Sequence, residues 1–339
     1  MKYSDETIDK FLKLISKEQK ISSVSEEMNM NKYEVLALVN YIKSCGTNIA
    51  LKNTVDDISM LNMGDKKFQE KNTYNFSTDE SNEFKFIAIS DTRLGSKSQQ
   101  LSILNDIYLK GHENGYDKVF LCGNISSGIY DLKNVLSETN FINDTYGQID
   151  YIVNHYPQVE GMKTFFITGT IDDKHLNKNK INIGRHIAEA RSDMIYLGER
   201  SCDVIIDKTI MRILGGKAGK KYTVSYRPQQ QIFSFRSEDK PDLLLYGGLL
   251  QMDKFTYRDV KALSIPSVCA TDELMEKNTY SNTIGAWYIT VKTNKKGELE
   301  SVNAIASPYY RTAKTDYLKA KVLKEPKPKT LSLKRSGDK

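Results

Sequence analysis

Residues 84–90 read FKFIAIS, a near-continuous apolar run that stops at Asp91. Such a run, broken only by Lys85 before it ends, predicts a strand buried on both faces, the kind found in parallel sheets. Working outward, SQQLSILNDIYLKG (98–111) has helical spacing, KVFLCG (118–123) is a second strand, and Tyr146 to His155 is a helix. KTFFITG (163–169) is a third strand and IGRHIAEAR (183–191) a helix. MIYLG (194–198), DVIID (203–207) and TIMRILGG (209–216) are short strands, and PQQQIFSF (228–235) is helical. DLLLYGG (242–248), AWYITVK (286–292) and SVNAIAS (301–307) close the series as strands. Strands alternating with helices, followed by a strand-rich second half, predict a layered α/β sandwich.

Upstream, residues 64–83 are polar and nearly unpatterned, with Phe68, Tyr74 and Phe76 the only anchors, and read as a linker. Residues 1–63 read as a winged helix-turn-helix. Ile8, Phe11, Leu12 and Ile15 recur at helical spacing. SSVSEEMN (22–29) is a short second helix capped by Ser22 or Ser23, and Asn31 caps a third whose stripe is Val35, Leu36, Val39 and Ile42. NIALK (48–52) and DDISML (56–61) supply two wing strands. A small helical bundle made for protein contacts is the competing reading.

Charge narrows the function classes. Residues 311–339 hold ten Lys/Arg against Asp316, Glu325 and Asp338, a balance of +7 within a total of +6, so the other 310 residues carry −1. The body is neutral and the tail is basic, suited to phosphates, an acidic protein surface or plain solvation. KEPKPKTLSLKR (324–335) is the single biased tract, and no internal repeat is present. No apolar run approaches the roughly 20 residues of a membrane helix. The opening MKYSDETIDKF lacks the pattern of a signal peptide. Cys45, Cys122, Cys202 and Cys269 are scattered, which suits reduced thiols and a cytoplasmic setting.

ISDTRLGS (89–96), LCGNISSG (121–128), FFITGTIDD (165–173), DMIYLGE (193–199), YTVSYRPQ (222–229), LLLYGGLLQ (243–251) and PYYRT (308–312) keep an order that resembles the calcineurin-like metallophosphoesterases. The likeness is to a phage and mobile-element branch with an N-terminal winged helix. It implies a four-layer αββα sandwich over residues 84–310, with two divalent metals held in loops at the strand ends to activate water.

Carried over residue by residue, the resemblance implies that this centre is lost. The family's D-x-H falls on Asp91-Thr92-Arg93, so a permanent cation stands where a ligand should be. The bridging aspartate of G-D falls on Asn124, and G-N-H-D falls on Gly169-Thr170-Ile171-Asp172. Thr170 replaces an amide ligand, and Ile171 replaces the proton-donating histidine, a task isoleucine cannot perform. The next histidine aligns with Gly215, and G-H-x-H falls on Gly247-Gly248-Leu249-Leu250. His112, His155, His175 and His186 all lie off the motifs. No metal and no cofactor is expected.

Two further readings stay open at this stage. Asp91, Asp172, Asp173 and His175 rebuild a one-metal site, or the TIDDKH turn is merely solvated. Arg93 joins Lys217, Lys220 and Lys221 in an anion pocket, or it neutralises Asp91. On the third N-terminal helix, Lys32, Tyr33, Asn40 and Lys43 are the candidate DNA contacts, although residues 1–64 carry eight Lys against nine Asp/Glu. The expected function is therefore a non-catalytic interaction or structural subunit with protein partners, in a phage-type nucleic-acid-processing or virion assembly. The alternatives are a winged-helix DNA-binding regulator, and an active phosphoesterase or nuclease with an atypical site.

Overall fold

The computed structural model describes residues 3–17, 19–44, 47–53, 57–65, 73–131, 138–216, 223–272, 275 and 282–318. The chain divides into two units, Met1–Lys71 and Asn72–Lys339.

The first unit runs α1 (Asp5–Leu14), β1 (Gln19–Lys20), α2 (Ile21–Met28), α3 (Lys32–Ser44), β2 (Thr47–Asn53) and β3 (Ile58–Asp65). Its strands form one antiparallel sheet in the order β1-β3-β2. Apolar side chains at helical spacing meet in a small core built on Phe11, Ile15, Val24, Leu38, Val39 and Met60. Asn31 caps α3 reciprocally: its Oδ1 accepts from Glu34 N at 3.0 Å, and its own N–H donates to Glu34 Oε2 at 2.8 Å. The serine cap expected on α2 does not form. That helix starts at Ile21 with no side-chain cap, and Ser22 N–H donates to Asp57 Oδ2 at 3.1 Å, because β3 brings a carboxylate to the helix end.

The second unit is built on β4 (Thr73–Phe76), β5 (Glu83–Ile89), α4 (Leu101–Glu113), β6 (Lys118–Cys122), α5 (Thr145–His155), β7 (Lys163–Thr168), α6 (Asp173–Asn179), α7 (Ile183–Ala190) and β8 (Met194–Glu199). It continues through β9 (Ser201–Ile206), β10 (Thr209–Gly215), α8 (Tyr226–Ser234), β11 (Leu243–Gly247), β12 (Asp253–Tyr257), β13 (Val260–Ser264), β14 (Gly285–Thr293) and β15 (Leu299–Pro308). One sheet has the order β15-β14-β5-β6-β7-β8, and the other β12-β13-β11-β10-β9-β4.

Side-chain alternation turns these sheets into layers. Phe84, Phe86 and Ala88 of β5, with Phe120 and Cys122 of β6, point into a core shared with Val204, Ile213 and Leu245 of the other sheet. Ile87, Ile89, Val119 and Leu121 point the other way, onto Leu104, Ile107, Ile152 and Ile187 of α4, α5 and α7. Leu244 and Tyr246 of β11 meet Ile232 of α8 on the far side. The result is helices, sheet, sheet, helix: the expected four-layer αββα sandwich.

Two expected boundaries are corrected. The linker over 64–83 contains β4, which pairs in parallel with β9. Phe76 sits edge-on to Phe84, Phe120 and Phe165, so the inter-sheet core claims it. The tail over 311–339 does not separate from the body at Tyr310. Ala313 N–H donates to Gln100 Oε1 at 2.9 Å, Ser102 N–H donates to Asp316 Oδ2 at 3.2 Å, and Tyr317 lies over Phe141 with ring centroids 5.4 Å apart. Asp316 thereby caps the first turn of α4, a polar tie that apolar counting overlooks. Residues 319–339 lie outside the described residues.

Candidate functional site

Parallel strands β5, β6 and β7 end side by side, and β10 and β11 of the second sheet end opposite them. Loops at the carboxyl ends of such strands are where α/β sheets place ligands. Asp91, Arg93, Asn124 and Leu250 all adopt positive φ, between 45° and 61°, so the chain turns sharply as it leaves each strand.

The carboxylate of Asp91 is fully buried and engaged on both oxygens. Arg93 donates to Oδ1 from Nε at 3.1 Å and from Nη2 at 3.0 Å, and Asn124 Nδ2 donates to the same oxygen at 2.9 Å. Ser90 Oγ–H donates to Oδ2 at 2.9 Å. Asn124 then turns its Oδ1 to the Ile171 N–H at 3.0 Å, joining three strand-end loops through one amide. Of the two readings for Arg93, the ion pair with Asp91 is the one formed. A second carboxylate, Asp272, stands 4.0 Å from Arg93 Nη1. Burial pulls the pKa of Arg93 down, and its neighbours Cys269, Asp91 and Asp272 more than offset this, so it stays charged. Burial pushes the Cys269 thiol up to about 12, keeping it protonated. Lys217, Lys220, Lys221 and the side chain of Lys43 lie outside the described residues.

At Gly248, aligned with one of the two late histidines of the metallophosphoesterase motif, backbone takes the space. A Cβ on Gly248 would fall 2.2 Å from Gly216 O, and one on Gly247 would fall 2.1 Å from Cys122 O. A Cβ on Gly169 would meet Asn124 Oδ1 at 2.3 Å. Gly215 is looser, with its nearest neighbour at 3.4 Å. Leu250 packs with Cys269 and Met275 as a small apolar cluster.

The TIDDKH segment is not a solvated turn. Asp172 and His175 are buried because α6 starts at Asp173 and lays both side chains beneath the β6 loop. Asp172 Oδ2 accepts from Gly169 N at 2.7 Å and Ile125 N at 3.2 Å; Oδ1 accepts from Ser126 N at 2.9 Å and Ser126 Oγ at 2.6 Å. Since that hydroxyl proton is committed, Ser126 Oγ accepts from His175 Nε2 at 3.1 Å, and His175 Nδ1 accepts from Thr145 Oγ1 at 2.9 Å. This fixes a neutral Nε2–H tautomer. Burial pushes Asp172 up to about 6 against these four donors, and burial draws His175 down to about 4. Arg200, itself half exposed, pairs with the buried Asp173 at the start of the same helix. Asp91, Asp172, Asp173 and His175 do not converge as a metal site.

Among the described residues, no group of three or more His, Cys, Asp or Glu side chains is placed to hold a metal. Two dications need several anionic or imidazole donors with free lone pairs. Here both oxygens of Asp91 already accept hydrogen bonds, Asp172 is taken up by four donors, and Asp272 faces Arg93. The described residues do not fit a two-metal centre. Beside this point Thr170 and Gly215 border an open cleft of about 500 Å³ that also touches Arg200, Arg227, Gln230 and Tyr246.

Sequence reasoning missed Ser90, Ser126, Thr145, Cys269 and Asp272. Ser90 carried a signal, as the polar end of an otherwise apolar strand. The others are ordinary residues assembled by the fold.

No protein-family model matches the chain, and no curated protein matches it in sequence. Among solved structures it is similar to a novel archaeal phosphodiesterase at 14% identity, with 66% of this chain and 100% of that chain covered and a TM-score of 0.35. It is similar to the Escherichia coli phosphoesterase YfcE at 13% identity, 66% and 100% covered, TM-score 0.34. Zinc-complexed Vps29 of Entamoeba histolytica is similar at 12% identity, 66% and 99% covered, TM-score 0.34. Among the described residues no helix is long and apolar enough to cross a membrane.

Proposed function

We propose that this chain is a non-catalytic protein on a metallophosphoesterase-like scaffold, acting as an interaction or structural subunit with protein partners. In a phage-type setting the assembly is one that processes nucleic acid or builds a virion. The observation that carries the reading is the use of Asp91. Its carboxylate binds the Arg93 guanidinium at 3.0 Å where the scaffold's enzymes would need a metal. A guanidinium supplies charge but no Lewis-acid site and no activated water. Around it Ile171 offers no proton, Asn124 no bridging charge, and Gly248 and Leu250 no imidazole. The test is elemental analysis after incubation with Mn and Zn and desalting, alongside hydrolysis of bis-p-nitrophenyl phosphate. Metal well below one per chain and no turnover are expected. One metal per chain, with turnover abolished by Asp91→Ala, overturns the proposal.

A second reading concerns the first unit, whose helices and strands follow the order helix, strand, helix, helix, strand, strand. We read it as a winged helix-turn-helix, with α3 as the contact helix. Tyr33 is 84% exposed at its start and Asn40 is exposed, whereas Lys32 lies 3.5 Å from Asp57. The unit carries no net positive charge, eleven Lys against eleven Asp/Glu over residues 1–71, which favours a protein partner over duplex DNA. Electrophoretic shift of duplex DNA at moderate salt, lost in Tyr33→Ala and Asn40→Ala, would favour the DNA-binding regulator instead. The basic residues of the tail would add a salt-sensitive contribution to either contact.

A further inference from the structure

We propose that β15 is the edge along which two copies of this chain pair, antiparallel and across a two-fold axis. The proposal goes beyond the non-catalytic reading and stands or falls independently of it.

β15 (Leu299–Pro308) ends one of the two large sheets, and among the described residues no strand lies on its outer side. Edge strands normally carry something that stops a newcomer: charge, a bulge, shortness or a cover. The other three edges of the sandwich have one. β4 is four residues long, and β12 carries Asp253 and Lys254 within five. Half of β8 is buried, and its Tyr196 O accepts from Tyr74 Oη at 3.2 Å. β15 runs for ten residues with Glu300 as its one charge, and it pairs regularly with β14 from Ser301 to Pro308.

The ladder fixes which groups face outward. Tyr309 N–H donates to Ile284 O at 2.7 Å, whereas Gly285 N–H turns away from β15 to Ser267 O at 3.0 Å. Antiparallel pairs alternate in this way. The odd-numbered residues of β15 therefore bond to β14, and Val302, Ala304 and Ala306 present their N–H and C=O outward. Side chains alternate across the sheet as well. Val302 and Ala304 turn toward the inter-sheet core, while Ile305, opposite Tyr288, stands on the helix side with 55% of its surface exposed.

Self-complementarity points to a second copy. Antiparallel pairing centred on Ile305 sets that side chain against its own counterpart and Asn303 against Ser307, so apolar meets apolar and polar meets polar. Glu298 and Glu300 precede the uncharged stretch, and Arg311 and Lys314 follow it. The same pairing brings the acidic end of one copy to the basic end of the other, where a parallel one would set acid on acid. Glu300 already faces Lys292 at 3.8 Å, and Glu298 accepts from Asn294 Nδ2 at 3.0 Å, so these charges orient the pair rather than hold it. Backbone hydrogen bonds and the cover over Ile305 hold it. An edge paired with its own copy is used up, so assembly closes at two. Short edges make a small interface, and dissociation in the micromolar range is expected.

The experiment is sedimentation equilibrium of the full-length protein from about 1 to about 100 µM. A monomer–dimer equilibrium is expected. Ile305→Lys sets two cations across the axis and should weaken the dimer about tenfold or more. Ala304→Pro removes an outward N–H while leaving the β14 ladder intact, and should do the same. Thermal unfolding of dilute samples separates lost pairing from lost fold; if the proline variant does not fold, the lysine variant and cross-linking decide. In a Cys45→Ser background, with Cys122, Cys202 and Cys269 buried, Ile305→Cys should form an intermolecular disulfide on mild oxidation and Asn303→Cys should not. A monomer throughout the range overturns the proposal, and so does association that continues past two. A dimer that either folded variant leaves intact places the contact elsewhere and overturns it too. A disulfide through Asn303→Cys in place of Ile305→Cys overturns the pairing described.

Discussion

Asp172 and His175 share one hydroxyl: Ser126 Oγ–H donates to the carboxylate at 2.6 Å and accepts from the imidazole at 3.1 Å. Their titrations act on stability with opposite sign. The folded state raises Asp172 from 3.8 to about 6, so it holds a proton the unfolded chain has lost, and stability falls as pH rises through that window. It lowers His175 from 6.5 to about 4, so the unfolded chain binds the extra proton, and stability falls as pH drops through that window. Each shift corresponds to about 3 kcal/mol, and between pH 4 and 6 they cancel. Urea unfolding at pH 4, 5, 6 and 7 checks this. Relative to the wild type, His175→Gln should gain stability as pH falls from 6 to 4, and Asp172→Asn should lose it. Equal slopes in the two variants would refute the coupling.

Arg93→Met should be strongly destabilising, by about 3–5 kcal/mol, because it strands the buried Asp91 carboxylate. Adding Asp91→Asn should recover part of that loss. A double-mutant cycle in chemical denaturation measures it, with a coupling of about 1 kcal/mol or more expected. Additive effects would mean the pair is not the unit described.

Arg93→His with Asn124→Asp introduces the histidine and aspartate of the metallophosphoesterase motifs and should give no metal-dependent turnover. Thr170, Gly215, Gly248 and Leu250 still leave the charge of two dications unmet. Turnover of a phosphodiester by this variant, dependent on added Mn, would show a less degraded centre.

Asp316→Ala should cost about 1 kcal/mol, the usual value of a helix cap, and lower Tm by about 2–4 °C. A fragment ending at Tyr310 should lose more, since the Gln100 and Phe141 contacts go with the cap. A melting temperature unchanged by that truncation would put residues 311–318 outside the folded body.

A fragment beginning at Asn72 should fold, whereas one beginning at Phe84 should be less stable by a few kcal/mol. The second lacks β4 and the Phe76 ring set between Phe84 and Phe165. Calorimetry on the two fragments decides the point.

The sandwich was legible because its central strands are continuous apolar runs and its helices keep their spacing. FKFIAIS alone identifies a two-sided strand. The β12–β13 hairpin was not, because DKFTYRDVKALS mixes charges into an edge and its Arg258 and Asp259 turn carries no glycine. TYNF escaped as a strand since four residues with alternate burial leave little pattern. At the site, the positions of Asp91, Arg93, Asn124 and Gly248 were readable from motif resemblance. The Ser126–His175 contact was not: it spans 49 residues, and nothing in either segment anticipates that α6 turns its polar side inward.

The approach of Gly248 to Gly216 bears on which mutations can be accumulated one at a time. Any side chain at 248 begins 2.2 Å from a carbonyl oxygen, on a backbone whose φ of +78° already disfavours side chains. A histidine there demands that the β10 and β11 loops separate first, a movement no ligand yet rewards. A population selected for phosphodiester cleavage from this chain would therefore stall at that position. The accessible route runs through loop insertions that part the two loops before any imidazole is gained.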